Sequence, residues 1–364
     1  MGMVRRALLL SVGYGDGHNA AAAAVAQELQ GRGWDTLTVD PCREAHPFLF
    51  ALTRHFYQFC VRRAPWLWGV TYAQTDTANW AEKSYAPVLR DVTEVIAARV
   101  HEFSPEIVVC TYPLFAHMLD ALREAGRVLI PYLVVVTDSL EISRPWMVTK
   151  APLVCLPDEY SLKVVTDRYA PDPQRLKVTG FPVRREFAEG KARRTVPTPQ
   201  TLRLVYGAYA PLPQVRKDLE LLKRNYPLAS ITVIAGDRCN ALTDLAGERV
   251  DIIRRTDRMS ELFAESHLYI GKAGAATMFE AYASGLPVVV NYALPGQEQG
   301  NLALLLQDGA GVEVRSSADL LVVLGSLLAN GAVGWRRLQN AMALADRGRG
   351  AGRIADIIEH ERHF

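Results

Sequence analysis
The sequence predicts a doubly wound α/β fold made twice over: two tandem parallel-sheet domains that face each other across a cleft. Three observations lead there. The chain has 364 residues, more than one domain usually holds. Short apolar runs alternate with longer helical segments, the pattern of parallel sheets covered by helices. The aperiodic, charged stretch "REFAEGKARRTVPTPQT" (Arg185–Thr201) separates one such series from a second and reads as a linker.

In the first series the strands are Ala7–Val12, Thr36–Val39, Ile107–Cys110, Tyr132–Thr137, Leu153–Leu156 and Leu176–Thr179, with helices over Ala20–Gln30 and Val92–Phe103. The second series sets strands at Leu202–Tyr206, Ser230–Ile234, Val250–Ile253, Leu268–Ile270 and Pro287–Val290. Its helices are Gln214–Asn225, Ala276–Ala283 and Leu302–Leu306. The domains expected are 1–188, a linker 189–201, a second domain 202–345, and a final amphipathic helix within 346–364. That helix is free to end the second domain or to cross back to the first.

Composition narrows the function. The net charge of +2 gives no global reason to expect nucleic acid. Residues with hydrophobic side chains make up 49%, ample for two cores, and no run approaches the roughly 20 apolar residues of a spanning helix. "RRALLLSVG" reads as a first buried strand rather than a signal peptide, because Gly13 and Gly15 break it with no small-residue cleavage site. Five scattered cysteines without C-x-x-C spacing argue against a disulfide framework or a zinc site and suit a reducing cytoplasm.

Two stretches carry chemistry. In "SVGYGDGHNAAAAAVAQEL" (Ser11–Leu29), Gly13, Gly15 and Gly17 allow a sharp turn and close approach of backbone to a ligand. A helix opening near Asn19 would present unpaired N–H groups and positive partial charge, a setting that attracts phosphate. The motif is out of register with G-x-G-x-x-G, and no P-loop lysine follows. His18 therefore stands where imidazolium is disfavoured, which keeps the ring neutral and proton-accepting. It reads either as the base that deprotonates a hydroxyl or as a helix cap.

The second stretch is "GKAGAATMFEAYASGLPVVVNYALPGQEQGN" (Gly271–Asn301). A small-residue turn through Lys272, Gly274 and Ala275 follows a strand and opens a helix. Free N–H groups at Ala276 and Thr277 suit a diphosphate, with Lys272 supplying charge. Glu280, one turn further along, suits the paired hydroxyls of a ribose. Gln297, Glu298 and Asn301 offer side chains that bond sugar hydroxyls. The alternative is a solvated surface turn.

With both motifs in hand, the chain resembles the GT-B glycosyltransferases of family 28: monogalactosyldiacylglycerol synthases and processive diacylglycerol glucosyltransferases. The resemblance covers nearly all of Ala7–Arg337. It rests on "GYGDGH", "TYPLFAHMLD", "VVTDSLEISRPW", "VTGFPV", "KAGAATMFEA" and "LPGQEQGNLALLLQDGAG". It implies two Rossmann-like domains and inverting transfer of glucose or galactose from a UDP-sugar to the hydroxyl of diacylglycerol or a related glycolipid. His18 matches the proposed base, with Gly15 and Gly17 as its glycine loop. Gly274 to Thr277 match the diphosphate turn, Glu280 the ribose carboxylate, Gln297 and Glu298 the sugar contacts, and Thr256 the place where backbone meets uracil. Asp138, at a strand end, would orient base or acceptor, or cap a turn. No D-x-D pair occurs and neither metal nor cofactor is implied, since a helix N-terminus can stabilise the departing UDP.

Two departures stand out. Ser143 occupies a place before Trp146 where relatives commonly carry histidine. The loop "YGAYAPLPQV" (Tyr206–Val215) has one glycine and two prolines where relatives are glycine-rich. These departures support two alternatives: another acceptor (a polyprenyl or small-molecule hydroxyl), or a sugar-nucleotide-binding regulator without transfer activity. The segment Phe56–Trp80 holds three of the six tryptophans. Within it Arg62, Arg63, Trp66 and Trp68 suit the headgroup layer of an anionic bilayer, or a packed helical pair. The resemblance favours the bilayer, implying a peripheral protein on the cytoplasmic face of the cell membrane. His46, His55 and His117 read as structural.

Overall fold
The computed structural model describes residues 4–14, 16–63, 87–189, 194–295 and 298–360. The chain divides into two compact units: residues 1–184, 295–300 and 348–364, and residues 185–294 with 301–347. Each unit contains a six-stranded, all-parallel sheet.

In the first unit the strands are β1 (Arg6–Leu10), β2 (Asp35–Val39), β3 (Ile107–Cys110), β4 (Tyr132–Val135), β5 (Leu153–Leu156) and β6 (Leu176–Val178). Their spatial order is β2-β1-β3-β4-β5-β6. The chain leaves β1 towards β2 on one side and returns as β3 on the other. The carboxyl ends of β1 and β3 therefore flank the crevice where such sheets bind ligands. β3, β4 and β5 read "IVVC", "YLVV" and "LVCL" and are buried throughout, as strands covered on both faces must be. Helices α1 (Asp16–Gly31), α2 (Pro41–Ala45), α3 (Pro47–Arg63), α4 (Pro87–Phe103), α5 (Pro113–Glu124) and α6 (Glu159–Tyr169) lie among the described residues of the unit's first 184. α1 begins at Asp16, before the expected start, so His18 lies inside the first helical turn.

The second unit opens with α7 (Arg185–Glu189), which falls within the stretch expected to be linker. Phe187 is buried there, its ring 5.8 Å from that of Phe263, so α7 packs on the second unit. The strands are β7 (Arg203–Gly207), β8 (Ser230–Ile234), β9 (Val250–Ile253), β10 (Leu268–Lys272), β11 (Val288–Tyr292) and the unanticipated β12 (Gly311–Glu313). They run β12-β11-β10-β7-β8-β9, which sets the second crevice at the ends of β7 and β10. Helices α8 (Leu212–Asn225), α9 (Met259–Glu265), α10 (Ala275–Ser284), α11 (Gln299–Gln307) and α12 (Ser317–Ala345) follow, though the first two residues of α11 group with the first unit.

By length and composition alone, the stretch Ser317–His360, which begins with α12, is apolar enough to cross a bilayer, contrary to the sequence expectation. Its Leu320, Leu324, Leu327, Trp335 and Leu338 are instead packed in the second core. Its backbone leaves helical geometry at Ala329–Ala332. The last helix, α13 (Gly350–His360), belongs to the first unit. Ile354, Ala355 and Ile358 join the core beneath α1, and Arg32 bonds Asp356 at 2.7 Å and Glu359 at 2.9 Å.

Candidate functional site
The first crevice is organised around His18. β1 ends at Leu10, and the chain turns through Gly13, whose N–H donates to Asp40 Oδ2 at 2.9 Å. Ser11 Oγ donates to Asn19 Oδ1 at 2.6 Å, tying the loop to the first turn of α1. His18 Nδ1 then lies 2.7 Å from the Thr111 carbonyl oxygen, beyond β3, and 2.8 Å from Thr137 Oγ1, beyond β4. A carbonyl can only accept, so Nδ1 carries the proton and Nε2 keeps its lone pair. Burial lowers the His18 pKa from 6.5 to about 4, against the bond to Thr111 that raises it. Desolvation is thus the chief cause, where the sequence pointed to the helix end.

Aromatic rings enclose the imidazole. Tyr112 meets it edge-on at 5.1 Å and the Trp146 ring lies 6.3 Å away. Asp138 is buried and its Oδ2 accepts the Trp146 indole N–H at 2.8 Å. Its carboxylate thus bonds the ring that lies beside the histidine. Ser143 is buried before the short 3-10 turn Arg144–Trp146, and the Pro145 carbonyl of that turn lies 3.0 Å from His117 Nε2. His46 contacts Val88 O and Asp91, and His55 its own helix at Ala51 O, all structural bonds. Thr111, Thr137 and Trp146 lay within quoted motifs but carried no assigned role; their signal is a polar residue just past each of two strands, and an aromatic in the turn that follows.

In the second unit, Ala273 and Gly274 link β10 to α10. Gly274 is the N-cap in an extended conformation with no side-chain cap bond, so the first N–H groups of α10 have no capping side chain. Thr277 and Glu280, both half-buried, share a helix face three residues apart. The ammonium of Lys272 stands 5.2 Å from the centre of the Tyr209 ring. Asn301 is buried, and its amide donates to the Ala273 carbonyl at 3.0 Å, bracing the turn. Thr256 Oγ1 accepts from the Arg258 N–H at 3.0 Å, closing the bend after β9.

Not every predicted residue falls in these groups. Glu298 is buried within residues 295–300, which cluster with the first unit, not with the second domain as expected. Gly300 lies against the backbone of Ser139 and Glu141, where a Cβ would collide. Gly17 lies within α1, whereas Gly15 and Gln297 lie outside the described residues. So do Trp66 and Trp68 and the side chains of Arg62 and Arg63, at the end of α3. What is described of α3 is an exposed apolar stripe, Phe48, Leu52, Phe56 and Phe59, starting eight residues before the predicted segment. The opposite face meets the glycine loop: Tyr14 packs on Phe50 at 5.1 Å and its hydroxyl bonds Thr53 at 3.1 Å.

Two parallel six-stranded sheets, each with polar groups at its switch point, have the GT-B architecture, and the family models and relatives the chain matches make it a glycosyltransferase. The chain belongs to glycosyltransferase family 28, in the branch of the monogalactosyldiacylglycerol synthases and processive diacylglycerol glucosyltransferases. Residues 18–183 match the monogalactosyldiacylglycerol (MGDG) synthase family model, and residues 214–322 match the glycosyltransferase family 28 C-terminal domain. The chain is 24% identical to the processive diacylglycerol beta-glucosyltransferase of Bacillus subtilis over 340 residues, covering 90% of this chain and 87% of that one. It is 25% identical to monogalactosyldiacylglycerol synthase 3 of Arabidopsis thaliana, covering 99% and 82%. Among solved structures, MurG of Acinetobacter baumannii superposes with a TM-score of 0.59 at 17% identity, covering 98% of this chain and 99% of that one.

Proposed function
We propose that the protein transfers glucose or galactose from a UDP-sugar to the hydroxyl of diacylglycerol or a related membrane glycolipid, with inversion at the anomeric carbon. The observation that carries this reading is the His18 tautomer, with the proton on Nδ1 held by the Thr111 carbonyl and the lone pair on Nε2. The acceptor oxygen attacks the anomeric carbon while Nε2 takes its proton, and the bond from that carbon to UDP breaks. The departing diphosphate carries the negative charge. The uncapped N-terminus of α10 and the Lys272 ammonium offset it, so no divalent cation or other cofactor is required. Glu280 accepts from the ribose hydroxyls, Thr256 lies at the base, and Gln297, Glu298 and Asn301 serve the sugar directly or by bracing the turn.

A lipid acceptor has to be reached at a bilayer. The exposed stripe of α3 offers phenyl and leucyl groups for insertion, and Arg62 and Arg63 at its end add attraction to anionic lipid. We place the protein peripherally on the cytoplasmic face of the cell membrane. The test is a donor screen with diacylglycerol vesicles, lipid products being resolved by mass. A hexosyl-diacylglycerol formed from UDP-glucose or UDP-galactose is expected. UDP-sugar binding with no glycolipid product, or turnover only on soluble or polyprenyl hydroxyls, overturns the assignment.

A further inference from the structure
The loop after β7 lies at the second crevice and carries one glycine and two prolines. Pro211 and Pro213 lack N–H groups that could meet a phosphate. In their neighbourhood stands Tyr209, 42% exposed, with Lys272 Nζ 5.2 Å from its ring centre. The ring is held in place by the loop. The Tyr209 N–H donates to the Gly207 carbonyl at 2.8 Å. A side chain at 207 would meet the Tyr209 ring at 3.2 Å and the Tyr269 hydroxyl at 2.5 Å, so glycine there makes room for both rings. Arg238 donates to the carbonyls of Ala208 and Ala210 and pins the loop on either side of Tyr209. On the facing strand, the β10–β11 register shifts between Gly271 and Lys272, an irregularity of the kind that re-aims a side chain.

We propose that Tyr209 is a donor-positioning residue: its ring holds the Lys272 ammonium at the mouth of α10, so that a fixed cation meets the diphosphate beside the uncapped N–H groups. Lysine is a flexible point charge, and a cation held over an aromatic face loses less freedom when the anion arrives. In this chain the pair compensates for N–H groups that the two prolines withhold. The proposal rests on the donor reading above and goes beyond it in assigning a role to Tyr209.

Calorimetry with UDP and with uridine tests it, on Tyr209→Ala, Tyr209→Phe, Lys272→Met and the Tyr209→Ala/Lys272→Met pair. Tyr209→Ala should weaken UDP about threefold to thirtyfold, the worth of one cation–π contact, and leave uridine unchanged. Tyr209→Phe keeps the ring face and should restore affinity, which rules out misfolding of the loop as the cause. The double variant should bind UDP no more weakly than Lys272→Met alone. Full UDP affinity in Tyr209→Ala beside a defect in Lys272→Met overturns the pairing and leaves the donor reading standing. Equal losses for UDP and uridine overturn it too, since the ring would then act on the base. A parent protein that binds no nucleoside diphosphate removes the donor reading and this proposal together.

Discussion
The Thr111 carbonyl oxygen lies 2.7 Å from His18 Nδ1, and that contact decides which ring nitrogen can take a proton. Thr137 Oγ1, 2.8 Å from the same nitrogen, adds a second acceptor for its N–H. A neutral ring with Nε2 unprotonated is the form a general base needs.

His18→Ala should therefore lower turnover by about 10²–10⁴-fold, the usual contribution of a general base. UDP affinity should stay near that of the parent. Turnover within a few-fold of the parent would assign the base elsewhere.

The pH dependence follows from the lowered pKa. Folded His18 protonates only near pH 4, so the acid limb of kcat/KM should fall there and not near 6.5. The unfolded imidazole takes up its proton near 6.5 while the folded one stays neutral. This residue's contribution thus favours the unfolded state increasingly as pH drops from about 6.5 towards 4, and is constant above that window. Between pH 7 and 4.5 the parent should lose more Tm than His18→Gln does. Equal losses would show that the ring is not held neutral by burial.

Asp138 accepts the Trp146 indole N–H, so Asp138→Asn, which retains an oxygen acceptor, should keep most of the turnover. Asp138→Leu leaves a buried indole N–H unpaired and should cost about 1–3 kcal/mol of stability, with a drop in kcat. A loss in Asp138→Asn as deep as in His18→Ala would make the carboxylate a proton carrier in its own right.

Glu280→Ala should weaken UDP binding by about 1–3 kcal/mol, the cost of losing bonds to a charged acceptor. EDTA should leave turnover unchanged. A strict requirement for a divalent cation would contradict the charge balance given to α10 and Lys272.

Phe48→Ser/Phe56→Ser removes two exposed rings of the α3 stripe. Each buried phenyl is worth about 1.5–3 kcal/mol, so co-sedimentation with anionic vesicles should fall sharply. Thermal stability should change by less than about 0.5 kcal/mol, as exposed substitutions do. Unchanged vesicle binding, or an unfolded protein, would refute this use of the stripe.

Strand positions and both motifs were legible because burial on two faces leaves apolar runs that periodicity reveals. β12, three residues reading "GVE", is too short to leave such a trace. The partners of His18 were hidden for another reason. Thr111 and Thr137 lie 93 and 119 residues away and meet the ring only through the order β1-β3-β4. The expected linker was misjudged at its start because Phe187, among charged neighbours, gives no sign that it packs on Phe263. Tyr209 carries no sequence signal for its contact with Lys272, 63 residues on, because only the adjacency of β7 and β10 brings the two together.

The division of the chain carries a practical consequence for recombination. The polypeptide passes between units after residues 184, 294, 300 and 347. A hybrid enzyme spliced once near residue 184, with its remainder taken from a relative, would inherit a foreign 295–300 segment and a foreign final helix. Arg32 would then face substitutes for Asp356 and Glu359, and the core beneath α1 would receive other side chains than Ile354 and Ile358. Exchange of donor or acceptor preference by cassette therefore calls for at least the 348–364 tail to travel with the amino-terminal half.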